Sequence, residues 1–96
     1  MPAPTPAEPV ITALPESVGN VVAITVDDGV DSSVVDAYLD FAKDSGVRLT
    51  FFVTGTYPSW TDNQAKLAPL VESGQVQLAN HTWTHPDLTT LSEGAI

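Results

Sequence analysis

Val21-Val22-Ala23-Ile24-Thr25-Val26 is an almost unbroken apolar, β-branched run. A strand wetted on one face alternates in polarity. This one does not, so it is expected to be buried on both faces, as in a parallel sheet. The run is expected to stop at Asp27-Asp28-Gly29, because two carboxylates and a glycine suit a turn better than a buried strand. A helix follows: Val34, Val35, Tyr38, Leu39 and Ala42 recur at helical spacing, with Asp36, Asp40, Lys43 and Asp44 on the other face. Ser33 with Asp36 three positions on reads as a capping box, Asp31 as a charge at the helix start, and Gly46 as the residue that ends it. Leu49 to Val53 predicts a second strand, and Tyr57 to Thr61 a loop. Asn63 to Ser73 predicts a second helix, which Pro69 must kink or else delay until Leu67 or Ala68. Val76 to Ala79 predicts a short third strand, and Leu88 to Ile96 the beginning of a third helix capped by Thr90 or Ser92. The order β-α-β-α-β implies parallel strands joined by right-handed crossovers.

Composition limits this picture. Ninety-six residues make one domain at most, well short of the ~250 of a whole (β/α) barrel. Met1 to Pro15 holds five of the eight prolines, so residues 1–20 read as a linker or mature N-terminus preceding a domain at 21–96. Twelve acidic side chains against three basic ones give a formal charge of −9. That excludes a phosphate-tracking nucleic-acid surface and docking on anionic membrane. No apolar run approaches the ~18 residues of a membrane span, so membrane insertion is not expected. With no cysteine, neither a disulfide nor a thiolate metal site can form.

The candidate chemistry lies at the carboxyl ends of strands, where parallel α/β folds collect functional groups. Asp27 and Asp28 follow the first strand, and His81 and His85 follow the third. In spatial order 1-2-3 these ends lie about 10 Å apart, two strand spacings, which side chains and curved loops can close. Two imidazoles and one carboxylate suit a divalent metal such as zinc, with a position left open for water. The other carboxylate is then free to act as general base. Thr82 is placed to hydrogen-bond within the histidine loop and orient a ligand. Trp83, Tyr57 and Trp60 are each either a sugar-facing aromatic or a packing residue.

Thr25-Val26-Asp27-Asp28-Gly29 resembles the T-F-D-D-G motif of the polysaccharide deacetylase family, the NodB-homology domain. His81-Thr82-Trp83-Thr84-His85-Pro86 resembles its H-[S/T]-x-x-H-P motif, and Gly46 to Val53 resembles its second strand. The likeness runs from about Val21 to Leu91. It departs at Val26, where the family has Phe, and at Ala79, where Gly is common. The resemblance implies the N-terminal half of a deformed (β/α) barrel, truncated in this chain. It implies Asp27 as general base and Asp28, His81 and His85 as ligands of a divalent metal, zinc first, with cobalt or manganese as alternatives. The implied reaction is removal of N- or O-linked acetyl groups from a polysaccharide such as peptidoglycan, chitin or xylan, by water that the metal activates. It further implies an extracellular or cell-envelope location. The family's later arginine and its proton-donating histidine have no counterpart here: there is no third histidine, and Arg48 is the only arginine. Turnover by these residues alone is therefore expected to be weak or absent, and the open sheet edges of half a barrel invite pairing with another copy. The alternatives are a non-catalytic metal or sugar binder on the same fold, an amidase of the same superfamily, and a receiver-like phosphoacceptor domain. The last needs an Asp where the third strand ends in Asn80-His81.

Overall fold

The structure is a computed structural model that describes residues 10–96. Of the expected linker, residues 1–9 lie outside the described residues. From Val10 to Ile24 the chain is exposed, with one 3-10 turn at Glu16–Val18.

Three strands, β1 (Thr25–Asp28), β2 (Leu49–Val53) and β3 (Val76–Asn80), form one parallel sheet in the order β1-β2-β3. The register pairs Asp28 with Val53, and Val53 with Asn80. The ends of β1 and β3 therefore meet one level of β2. Three helices connect them: α1 (Ser32–Ser45), α2 (Ser59–Asp62) and α3 (Gln64–Glu72). The buried core is Val35, Leu39 and Ala42 of α1, Leu49 and Phe51 of β2, Trp60 of α2, Leu67 of α3 and Val76 of β3. Val26 and Val53 pack against it, so alternate residues of β1 and β2 face the helices. The intervening Thr25, Asp27, Thr50 and Phe52 face the opposite side.

Several expectations change. The first strand begins only at Thr25 and runs through both aspartates. The residues before it are exposed, Val22 at 83%. β1 is half-buried at best: the helices cover only its Val26 face, and its edge position leaves one side unpaired among the described residues. The N-cap of α1 is Asp31, not a Ser33–Asp36 box. Its Oδ1 accepts from the Ser33 hydroxyl at 2.6 Å, the Ser33 N–H at 2.8 Å and the Val34 N–H at 3.2 Å. Asp36 and Asp40 instead reach Lys66 of α3 at 2.5 and 2.8 Å, which relieves their mutual repulsion. Those carboxylates, Asp36 first, raise the Lys66 pKa above its ordinary value. Residues 59–62 form a short helix rather than a loop, and α3 starts at Gln64 with Pro69 inside it. Beyond β3 there are two 3-10 turns, Leu88–Thr90 and Glu93–Ala95, in place of an α-helix. Asp87 caps the first of them through its side chain. Gly46 does end α1, in the left-handed conformation and donating to the Ala42 carbonyl.

Candidate metal centre

Asp28 closes β1, and His81 and His85 lie in the loop that leaves β3. Their ligand atoms all lie within 4.8 Å of one another. The His81 and His85 Nε2 atoms approach the same carboxylate oxygen, Asp28 Oδ1, at 2.9 and 3.2 Å. The two rings are tilted at 51° with centroids 5.0 Å apart. Asp28 Oδ1 is shielded from solvent yet has no partner of hydrogen-bond geometry, although the carboxylate as a whole is 41% exposed. An unsatisfied buried oxygen faced by two imidazole nitrogens is costly as it stands. One carboxylate and two nitrogens converging on a point fit a divalent cation, and two nitrogen donors with one oxygen donor favour zinc over magnesium or calcium.

The backbone is bent to achieve this. Asp28, Thr82 and His85 have φ of 61°, 68° and 59°, and they are the only non-glycine residues with positive φ among those described. Each such residue costs on the order of 1–3 kcal/mol and persists where its surroundings over-determine it. Local hydrogen bonds supply part of that. Asn80 Oδ1 accepts from the Thr82 N–H at 2.6 Å, and Thr82 Oγ1 accepts from the His85 N–H at 2.9 Å. Gly29 follows Asp28 at φ 81°, and its carbonyl accepts from the Ser59 hydroxyl. A Cβ on Gly29 would stand 2.0 Å from the Trp60 ring, so this turn is possible only with glycine.

Asp27 is not part of the cluster. It is exposed, one position earlier on β1, in register with Phe52 on the face away from the helices. The histidine loop opens onto a cleft of about 500 Å³ lined by Asn80, His81, Thr82, His85, Pro86 and Leu88. Trp60 is a packing residue, edge-on to Phe51 at 5.3 Å, and Tyr57 packs on the core. Trp83 is 69% exposed, its ring laid against Gly55, so it is no core anchor. Asn80 and Thr54 were not singled out for the site by residue type. Asn80 acts locally, through its side chain on the amide two residues on, whereas Thr54 acts through contacts with residues distant in sequence, which spacing along one strand does not reveal.

The sequence profile of the family described as polysaccharide deacetylase matches residues 15–96. The chain is 41% identical over 71 residues to the peptidoglycan-N-acetylglucosamine deacetylase PgdA of Listeria monocytogenes, covering 74% of this chain and 15% of that protein. It is 32% identical over 91 residues to a chitin deacetylase of Pestalotiopsis, covering 95% and 30%. Among solved structures it is similar to the peptidoglycan deacetylase PdaC of Bacillus subtilis, with a TM-score of 0.60 and 35% identity, over 75% of this chain and 34% of that one. The chain thus spans about a third or less of the length of each of these proteins.

Proposed function

The chain belongs to the polysaccharide deacetylase family, and from that premise we propose that it carries the metal-binding half of a hydrolase that removes acetyl groups from an extracellular or cell-envelope polysaccharide. The observation that carries this is the convergence of Asp28, His81 and His85 at the mouth of the sheet. In this reading those three residues hold the cation and Asp27 is the general base. The domain occupies residues 21–96, although the family match begins at residue 15. Bound there, a divalent cation supplies Lewis-acid polarisation of the acetyl carbonyl and lowers the pKa of an adjoining water. The protein's own work is to hold three ligands in place and to keep a fourth group, Asp27, off the cation and open to solvent. A carboxylate that is not a ligand stays free to take a proton. Thr82, donated to by the His85 amide, holds the histidine loop in its left-handed turn. The cleft beside His81 and His85 is where an acetylated sugar would approach.

Peptidoglycan and chitin deacetylases among the relatives point to N-acetylglucosamine units as the substrate class. An O-acetylated polymer is the alternative, since a polarised carbonyl serves an ester as well as an amide. The leaving amine of an amide needs a proton, and with no third histidine in these 96 residues that donor is lacking. General acid catalysis is worth roughly 10²–10⁴-fold, so the chain by itself binds metal but turns over slowly. The receiver-like alternative falls with the family assignment.

Acetate release from acetylated chitooligosaccharide and from acetylxylan, with added Zn²⁺ or with chelator, tests the reading. Slow release is expected, dependent on metal and lost in Asp27→Asn. Release that survives both chelation and Asp27→Asn would overturn it, and family-like rates would overturn the slow-turnover part.

A further inference from the structure

Thr54 follows β2 and is fully buried, at 0% exposure. A buried hydroxyl needs a partner, and this residue finds its partners on both sides of the metal centre. Its backbone N–H donates to the Asp28 carbonyl at 3.2 Å. Its hydroxyl Oγ1 donates to the His81 carbonyl at 3.2 Å. The next two residues continue toward the histidine loop alone: Gly55 N–H donates to the Thr82 carbonyl at 3.0 Å, and Thr56 N–H to the Trp83 carbonyl at 2.9 Å. Thr54 is therefore where the chain leaving β2 changes partner from β1 to the loop after β3. Two of the residues it or its neighbour grips, Asp28 and Thr82, are in strained left-handed conformations.

We infer that Thr54 is a positioning residue for the metal centre, its amide and hydroxyl tying the Asp28 and His81 backbones into one frame so that carboxylate and imidazole face each other before any ion binds. The inference rests on the metal-centre reading above and deepens it. The amide bond survives any side-chain change, but the hydroxyl bond does not. Thr54→Val keeps the shape and leaves the His81 carbonyl without its donor. Thr54→Ser keeps the donor and loses only a methyl group.

Two measurements on the whole chain test this. In the metal-free protein, the His81 carbonyl ¹³C resonance reports its hydrogen bond directly. In Zn²⁺ and Co²⁺ titrations, the dissociation constant and the cobalt spectrum report the ligand set. Thr54→Val is expected to move the His81 resonance upfield, weaken Zn²⁺ binding roughly 10–100-fold and alter the cobalt spectrum. Thr54→Ser is expected to restore all three. An unmoved His81 resonance, or wild-type Zn²⁺ affinity in a folded Thr54→Val, overturns the inference and leaves Thr54 a packing residue. If Thr54→Val does not fold, Thr54→Ala against Thr54→Ser carries the same comparison, since the pair differs by the hydroxyl alone. Failure of the wild type to bind Zn²⁺ would sink the metal-centre reading instead, while the His81 resonance would still decide whether the hydroxyl holds the loop.

Discussion

The split between Asp27 and Asp28 shows how much one residue of offset matters. Adjacent strand residues point to opposite faces, so a D-D pair cannot act as one group. Residue type and strand-end position single out Asp27, Asp28, His81 and His85 in the sequence, and the structure brings three of them, Asp28, His81 and His85, together. The left-handed conformations at Asp28, Thr82 and His85 were not legible, because none of the three positions is itself a glycine. Asp31 was legible as a charge at the helix start, but its exact service was not. Its carboxylate is held below the ordinary value of 3.8, first by the Ser33 hydroxyl and then by the Val34 and Ser33 amides. Asp87 is lowered in the same way, first by the Thr89 hydroxyl. A carboxylate with a lowered folded pKa contributes stability that is complete above its unfolded value and lost as pH falls through the folded one. The melting temperature of the wild type should therefore drop as pH falls below about 3.8, through this contribution among others. Asp31→Asn, which keeps an acceptor but cannot titrate, should drop less across the same window. Equal slopes in the two proteins would remove Asp31 from the acid response.

Elements were predicted best where packing and pattern agree. β2 and the Gly46 stop of α1 lie where expected, because the strand preference of a β-branched and aromatic run and the left-handed preference of glycine are local properties. β1 departs from its expected extent because an apolar run reports that burial is available, not that it is achieved, and helices cover only one face of this sheet. The α2 turn was missed because its cause is distant: Trp60 must lie over Gly29 to seal the core below the site. That contact makes Gly29→Ala informative. The new methyl group would meet the indole at 2.0 Å, in a backbone conformation that L-residues resist. A loss of about 2–4 kcal/mol is expected in urea unfolding. A loss below about 0.5 kcal/mol would mean that the Trp60–Gly29 contact does not hold the turn after β1.

At the scale of the whole molecule, the outer edges of β1 and β3 carry no further strand among the described residues, and the helices lie on one face. Val21, Val22 and Ile24 are exposed beside β1, Val34 and Phe41 on α1, and Leu78 on β3. The radius of gyration, 15.7 Å, exceeds the ~12.5 Å of a compact chain of this length. Such edges accept further strands, and we propose that in isolation they pair with a second copy, opposed by the charge of −9. Light scattering should then give a mass above 10.1 kDa that rises with salt; a monomer at all salt concentrations would contradict this. The proposed function depends on Asp28, His81 and His85 acting as one ligand set, which calorimetric titration with Zn²⁺ reads out. One ion per chain is expected for the wild type, the same stoichiometry and near-equal affinity for Asp27→Asn, and no specific binding for Asp28→Ala or His85→Ala. Zn²⁺ binding that is absent from the wild type, or that survives loss of Asp28 and His85, would contradict it.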